Sequence, residues 1–334
     1  AEALIRTARG SAAIYVGGNE QEPCADINVP LQDLIRLLDP ATPYVRGSLW
    51  GGLADGHGGD GWLNLHDGPY GIQDPRAFFN PDFYKYAFNP EVGSVGVPEE
   101  DTLRRMFPAP LDTPPGFVLD EKSGQYVETF SEAWAHHQPL SYSDPPNGVA
   151  DQIAVYSVPA SLADYAQQAQ LANLVQYRAL IEGFSSKLWT AHTGFLIWKV
   201  QSPWLGLRGQ LYDTDLNPTA ALYACRRAGG AVHAQLRPSS GGTIQVVNAT
   251  GAVARCSLIY EGWSLGGARL FSGGGPVDAA AQSVTNVVDG LPGGVPADPC
   301  EVFFLRVALQ PRDPPGGAGG GADTRGPSEP RDHF

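Results

Sequence analysis

Two glutamates in the first third of the chain occupy positions where parallel α/β folds place catalytic carboxylates. Glu20 follows a short apolar strand predicted at Ile14–Val16, and Glu91 follows a strand predicted to end at Phe88. Loops at the carboxyl ends of parallel strands converge on one edge of the sheet, so the two side chains are expected to meet there. Hydrolysis of a glycosidic bond needs such a pair, since one carboxyl protonates the leaving oxygen while the other attacks the anomeric carbon or activates water. Position alone also fits two glutamates in solvated loops.

Other chemistries have weaker sequence support. His57, Asp60 and His66 share a glycine-rich loop, but their spacing matches no zinc motif. The glycines of 51–61 lack the G-K-[ST] of a phosphate loop, and no G-x-S-x-G indicates a serine hydrolase. We therefore expect no metal and no other cofactor.

The elements predicted around the two glutamates are those of parallel β/α units. Short apolar runs predict strands, which we place at 11–18, 43–48, 85–91 and 194–200. Helical spacing of apolar residues predicts helices, which we place at 31–38 and 161–191. Ser161 and Asp164 form a plausible capping box for the longer helix. Strands that alternate with helices indicate an α/β fold with parallel strands.

The pattern changes after Ala228. Short alternating segments at 243–248, 255–260 and 302–309 are separated by turns rich in glycine and proline. That pattern is typical of a small β-sandwich. From residue 310 the chain consists of glycine, proline and charged residues, so it is predicted to be disordered. The sequence thus divides into a catalytic domain over 1–228, a sandwich over 229–309 and a tail over 310–334.

Composition argues against several partners. The 334 residues carry a net charge of −13, whereas nucleic acids and anionic membranes are bound through basic surfaces. No apolar run is long enough to span a bilayer, and no signal segment is recognisable. Four separated cysteines (Cys24, Cys225, Cys256 and Cys300) read as isolated thiols, with at most one or two disulfides possible. The sequence leaves the cellular compartment undetermined.

Longer motifs around the two glutamates resemble one enzyme family. The run Y-V-G-G-N-E-Q, which contains Glu20, is similar to the Asn-Glu signature of glycoside hydrolase family 2. N-P-E-V-G-S-V-G-V-P around Glu91 and G-F-L-I-W-K-V-Q-S-P-W from Gly194 are similar to later motifs of the same family. The likeness covers nearly all of 11–228 and is strongest to the plant-type endo-β-mannosidases, with exo-β-glucosaminidases second.

This resemblance implies roles for individual residues. Glu20 corresponds to the family's acid/base, Asn19 to the residue that hydrogen-bonds the sugar 2-hydroxyl, and Glu91 to the nucleophile. Trp198 corresponds to an aromatic floor on the eighth strand of a (β/α)8 TIM barrel. Further substrate contacts are expected from aromatic and polar side chains at or beyond strand ends, namely Trp50, His66, Tyr70 and Trp204.

The resemblance also predicts the extent of the fold. It places residues 11–18 at the fourth barrel strand, so we expect the C-terminal part of a barrel, strands four to eight, followed by an immunoglobulin-like β-sandwich. The chain is accordingly expected to be a fragment whose missing N-terminal portion acts as a partner.

The function implied is retaining hydrolysis of β-mannosidic bonds in N-glycan-type oligosaccharides by double displacement. In that mechanism Glu20 must arrive protonated and Glu91 ionised. Exo-β-glucosaminidase and exo-β-mannosidase activities are alternatives from the same resemblance. A carbohydrate-binding fragment without turnover is a second class of alternative, since the predicted barrel is incomplete.

Overall fold

A computed structural model describes residues 1–48, 65, 67–94, 96–137, 149–207, 210–238, 241–292 and 303–312. The chain divides into two compact units that alternate along the sequence. The first consists of Ala1–Ile72, Tyr84–Asn173 and Ala191–Thr219, and the second of Gln73–Phe83, Leu174–Thr190 and Ala220–Phe334. The domain boundary expected at residue 228 remains a prediction.

Seven α-helices occur in the described residues. They are α1 (Glu2–Ala8), α2 (Ala25–Leu38), α3 (Glu100–Met106), α4 (Glu132–His136), α5 (Val149–Ala154), α6 (Leu162–Ser185) and α7 (Ala220–Ala228). The helix expected at 31–38 begins earlier, at Ala25. Its first turns were missed because Ile27 and Val29 are exposed there and lie outside the apolar stripe. The helix expected to reach residue 191 ends at Ser185, and Lys187 N–H then closes a tighter turn by donating to the Phe184 carbonyl (3.1 Å).

The first unit contains short strands in parallel and antiparallel pairs. They are β1 (Tyr15–Val16), β2 (Tyr44–Val45), β3 (Phe88–Val92), β4 (Gly116–Asp120), β5 (Gln125–Thr129) and β6 (Gly194–Ile197). β1 pairs with β2, and β3 with β6, in parallel, whereas β4 and β5 form an antiparallel hairpin. Leu65 adds a parallel bridge to Phe88.

The expectation that the strands at 11–18 and 194–200 are buried was wrong in part. Each is shorter than predicted, and Val16 and Leu196 are exposed. Within the described residues β1 and β6 each have one strand neighbour, so pairing protects only one of their edges. A run of apolar letters does not report how many neighbours a strand has.

An aromatic core joins α3, α4, α5 and the first half of α6 in the first unit. Phe107 stacks on Trp134 with ring centroids 4.0 Å apart, and Tyr165 meets Trp134 edge-on at 5.4 Å. Apolar residues of α3, α5 and the first half of α6 complete this cluster: Leu103, Met106, Val149, Ile153, Leu162, Ala166 and Ala169.

The second unit contains two three-stranded antiparallel sheets. Their strands are β7 (Val232–Arg237), β8 (Thr243–Asn248), β9 (Ala254–Ser264), β10 (Arg269–Ala279), β11 (Ser283–Asp289) and β12 (Phe303–Pro311). The strand orders are β11-β8-β7 and β10-β9-β12. Side chains of both sheets share one apolar core, which includes Ile244, Val246, Leu258, Val277 and Val307. β12 extends two residues into the predicted tail, and residues 313–334 lie outside the described part of the chain.

Cys24, Cys225 and Cys256 are free thiols, and Cys300 lies outside the described residues. In the described part of the chain no helix combines the length and hydrophobicity needed to cross a bilayer. Among the same residues no group of three His, Cys, Asp or Glu side chains is arranged to hold a metal ion.

Candidate active site

Strand β3 carries Glu91 in its interior, not after its end as the sequence indicated. Glu91 was expected just past a strand ending at Phe88, as the last residue of the strand-like run 85–91. Pairing continues to Val92, with a register shift against β6 between Asn89 and Val92. Irregularities of this kind accommodate proline and change the direction of a side chain. Glu91 lies within this irregular segment and is half-buried.

Tyr70 provides the direct side-chain contact to Glu91. Its hydroxyl donates to Glu91 Oε1 at 2.8 Å. The loop that carries Tyr70 lies alongside β3, since Gly68 N–H donates to the Glu91 carbonyl at 2.7 Å. Gly68 has a left-handed φ of +79°, which favours glycine at this position.

Asn89 fixes the backbone on both sides of this contact, and sequence reasoning missed it. The side chain is fully buried, donates from Nδ2 to the Gly68 carbonyl at 2.7 Å, and accepts from Glu91 N–H at 3.0 Å. A buried amide with both ends bonded holds its neighbours in one arrangement. The signal available was an asparagine two residues before the candidate carboxylate.

Trp198 follows β6 directly and lies beside Tyr70. Its backbone N–H donates to the Val92 carbonyl at 2.8 Å, and its ring meets Tyr70 edge-on with centroids 5.5 Å apart. The next residue, Lys199, follows a cis peptide bond and places its ammonium 5.0 Å from the centre of the Trp198 ring. Glu91, Tyr70 and Trp198 are therefore contiguous.

Glu20 is positioned through its backbone. The residue is exposed, adopts a left-handed φ of +54°, and donates its N–H to Ser48 Oγ at 2.9 Å. Ser48 Oγ in turn donates to Asp67 Oδ2 at 2.7 Å, and both of these residues are buried. This chain of hydrogen bonds joins the Glu20 turn to the loop that carries Tyr70. Ser48 and Asp67 carry no periodic sequence signal and were not predicted.

The carboxylates influence one another electrostatically. Burial raises the pKa of Glu91, and the negative charges of Asp67 and Glu20 raise it further, whereas the hydrogen bond from Tyr70 lowers it. Burial and the bond to Glu91 raise the pKa of Tyr70 well above its ordinary range, so its hydroxyl stays protonated and donates. The charges of Glu20 and Asp67 thus lie close enough to act on Glu91.

The remaining predicted residues are not all found together. Asn19 is exposed next to Glu20. Trp204 is exposed and lies against a histidine pair, with ring centroids 6.2 Å from His137 and 6.4 Å from His136. Trp50 and His66 lie outside the described residues, as do His57 and Asp60. The structure therefore brings together Glu20, Tyr70, Glu91 and Trp198.

This arrangement combines ionisable carboxyls with flat aromatic surfaces. A carboxylate that receives a phenolic hydrogen bond can attack a carbon centre, and a second carboxyl nearby can transfer a proton. Aromatic faces next to them suit the apolar face of a sugar ring. The residues present therefore fit acid–base and nucleophilic chemistry on a saccharide.

Solved structures of carbohydrate-active enzymes share this fold. The exo-chitosanase of Amycolatopsis orientalis matches with a TM-score of 0.67 and 19% identity, over 90% of this chain and 35% of that one. A β-D-mannosidase of Dictyoglomus thermophilum matches with a TM-score of 0.66 and 16% identity, over 90% of this chain and 36% of that one. No protein-family model matches the chain.

Sequence similarity is higher to one curated glycosidase. The chain is 43% identical over 277 residues to a mannosylglycoprotein endo-β-mannosidase of Lilium longiflorum, across 74% of this chain. It is 25% identical over 268 residues to an exo-β-D-glucosaminidase of Streptomyces avermitilis, across 76% of this chain. The chain spans 28% and 27% of the lengths of these relatives. The resemblance predicted from the motifs, to a plant endo-β-mannosidase first and to exo-β-glucosaminidases second, is confirmed.

Proposed function

We propose that this chain carries the carboxylate pair of a retaining β-glycosidase, with Glu91 as nucleophile and Glu20 as acid/base. The observation that supports it most directly is the hydrogen bond from Tyr70 to Glu91 Oε1 at 2.8 Å, next to Trp198 and within the field of Glu20. A donor aimed at one carboxylate oxygen fixes the direction of that carboxylate and favours its ionised form, which opposes the rise in pKa caused by burial and the neighbouring charges.

The reaction has two displacements. In the first, a Glu91 oxygen bonds to the anomeric carbon while the bond to the leaving oxygen breaks and Glu20 gives that oxygen its proton. In the second, Glu20 takes a proton from water, whose oxygen attacks the anomeric carbon and releases Glu91. The sugar thereby keeps its anomeric configuration.

Neighbouring residues have supporting roles in this proposal. Trp198 forms the floor under the sugar ring, and Asn19 hydrogen-bonds the 2-hydroxyl. Tyr70 orients Glu91 and contributes an aromatic edge, while Trp50, His66 and Trp204 are proposed as further substrate contacts. No metal or cofactor takes part.

The domain architecture belongs to the same proposal. The parallel pairs β1–β2 and β3–β6, with the bridge at Leu65, fit part of a (β/α)8 barrel over residues 1–228. The two antiparallel sheets with a common core fit an immunoglobulin-like sandwich over 229–309. The rest of the barrel would be supplied by further polypeptide, which we propose as a partner.

A β-mannoside in an N-glycan-type oligosaccharide is the substrate that we propose. The 43% identity to a mannosylglycoprotein endo-β-mannosidase supports it. A β-glucosaminide is the second candidate, because the other curated relatives, at 24–26% identity, are named exo-β-D-glucosaminidases.

Proton NMR of the first product anomer tests this function. The chain is incubated with an aryl β-mannoside and, separately, with an aryl β-glucosaminide. We expect the β-anomer of mannose to appear before mutarotation, and faster turnover of the mannoside. Initial release of the α-anomer would contradict a retaining mechanism, and preferential turnover of the glucosaminide would favour the second substrate. Binding of both glycosides by the folded chain without turnover would support a carbohydrate-binding fragment instead.

A further inference from the structure

The outer face of the sheet β10-β9-β12 carries large apolar side chains that the core of the second unit does not use. Phe303 and Leu305 of β12 pack against that core, whereas Phe304 between them is 50% exposed. Leu265, in the turn after β9, is 67% exposed. Contiguous apolar side chains on the surface of a domain commonly indicate a binding site.

Strand register places four side chains, two aromatic and two charged, next to one another on this face. Trp263 of β9 lies directly opposite Phe304 of β12, and Glu261 lies directly opposite Arg306. Positions two apart on a strand point to the same face, and directly opposite residues have neighbouring side chains. The block therefore has an aromatic half, Trp263 with Phe304, and a charged half, Glu261 with Arg306.

The charged half is fixed by ion pairs. Glu261 lies between two guanidinium groups, with Oε2 at 3.2 Å from Arg306 and Oε1 at 3.5 Å from Arg269. A guanidinium has five N–H donors in a planar array, so Arg269 retains donors besides the Nη1 that faces Glu261. Planar donors held beside an aromatic surface suit the hydroxyl pairs along the edge of a sugar ring.

Five of these residues, but not Arg269, line an open groove of about 540 Å³. Its lining includes Glu261, Trp263, Leu265, Phe304 and Arg306. That volume is within the range of small-ligand sites. A stable protein partner needs roughly 800 Å² of surface on each side, from about 20–30 residues, which a block of this size does not offer by itself.

We propose that this groove is a second saccharide-binding site, which holds a neutral oligosaccharide by stacking on Trp263 and Phe304 and by hydrogen bonds from Arg269 and Arg306. The local charge of Glu261 with two arginines is positive, so a neutral glycan is favoured over a cationic amino-sugar chain. The site lies in the second unit and needs neither Glu20 nor Glu91. It would keep a glycan chain attached to the protein independently of bond cleavage.

Calorimetric titration of the whole chain with neutral β-1,4-mannotetraose tests the proposal. All variants carry Trp198→Ala, which weakens binding at the site proposed beside the carboxylates, so the further change caused by each groove substitution reports the groove. We expect Trp263→Ala and Phe304→Ala each to weaken this binding about tenfold or more. Tyr223→Ala, which removes a 46% exposed aromatic of α7 in the same unit, is the matched control and should leave it unchanged.

A second variant keeps the test decisive if an aromatic substitution unfolds the chain. Arg269 is exposed and pairs with Glu261 of the groove lining, and Arg269→Ala should weaken binding about fivefold while thermal unfolding is unchanged. The tetramer of glucosamine, as the cationic probe, should bind more weakly than mannotetraose.

The proposal is overturned if binding to the Trp198→Ala chain is absent or survives all three groove substitutions. Equal or tighter binding of the glucosamine tetramer would also overturn it. A sedimentation change of the sugar-free chain on Trp263→Ala would assign the face to a second copy of the protein instead. Because turnover is not measured, the result stands apart from the success or failure of the proposed hydrolysis.

Discussion

Two glutamates of the first unit each accept a hydrogen bond from a tyrosine, but their surroundings differ. Tyr70 donates to Glu91, and Tyr165 donates to Glu128 on β5, each at 2.8 Å. Glu91 is half-buried next to Trp198 and shares the field of two other carboxylates. Glu128 is buried, and its tyrosine belongs to the apolar core around Trp134.

This comparison separates a structural contact from a candidate catalytic one. A tyrosine–glutamate hydrogen bond alone does not identify an active site, because the fold uses the same bond inside its core. Burial raises the pKa of Glu128 to about 7, with the Tyr165 bond opposing this rise. At Glu91 the neighbouring acids Asp67 and Glu20 contribute to the rise as well. Accessible, coupled acids next to aromatic surfaces indicate function, whereas an isolated buried acid indicates structure.

The largest effect is expected from exchanging each glutamate for glutamine. Glu91→Gln should lower aryl β-mannoside hydrolysis on the order of a thousandfold or more, because an amide cannot act as the nucleophile. Glu128→Gln is the matched control and should retain most of the activity. Kinetic assays on both variants, with circular dichroism to confirm folding, make the comparison. Equal losses in the two variants would remove the distinction between the two glutamates.

The pH dependence of the free energy of unfolding should report the ionisation of Glu128. Its pKa is higher in the folded state, about 7, than in the unfolded chain, so the folded form binds more protons between these values. The stabilisation that protonated Glu128 gives to the folded state is therefore fully present below about pH 4 and is lost as the pH rises through 7. It amounts to about 3 kcal/mol. Urea unfolding at pH 5 and pH 8 measures it. Glu128→Gln should reduce the decline, and an unchanged decline would mean that Glu128 is ionised at little cost.

Sequence anticipated some of this structure and missed other parts. Helix α6 was predicted from its apolar spacing, and strands β8 and β12 were predicted from short alternating segments between turns, although every residue of β8 is buried. Glu20, Glu91 and Trp198 were proposed as site residues from the motifs around them, and Tyr70 was proposed from its position beyond a strand end. The positions of Glu91 inside β3 and of Asn89 beneath it were missed, since a register shift and a buried hydrogen bond depend on the neighbouring strand. Ser48 and Asp67 were missed for the same reason, as polar residues whose partners are distant in sequence.

Replacing the two tyrosines with phenylalanine should have opposite readouts. Tyr70→Phe removes a bond that lowers the pKa of Glu91, so the acidic limb of the kcat/KM profile should move to higher pH, with activity down about tenfold. Tyr165→Phe should leave that profile in place and lower the free energy of unfolding by about 1–3 kcal/mol. pH–rate profiles and urea titrations of both variants measure these effects. A shifted acidic limb in Tyr165→Phe would contradict the assignment.

A smaller effect is expected at Ser48. Ser48→Ala removes the acceptor for Glu20 N–H and a donor to Asp67, so the Glu20 turn should lose its preferred position. We expect about a fivefold loss of kcat for substrates with poor leaving groups, which need proton transfer from Glu20. Substrates with activated leaving groups should be affected less. A uniform loss for both substrate types would indicate general destabilisation instead, and Ser48→Thr, which retains the hydroxyl, should recover activity.

The central claim is that Glu91, and not Glu128, is the nucleophile, and covalent labelling tests it most directly. The folded chain is incubated with an activated 2-deoxy-2-fluoro-β-mannoside, and the mass and position of any adduct are determined by peptide mapping. We predict one fluoro-mannosyl group per chain, bound to Glu91 and absent from Glu91→Gln. A folded chain without an adduct, or an adduct on Glu128 or Glu20, would contradict this account.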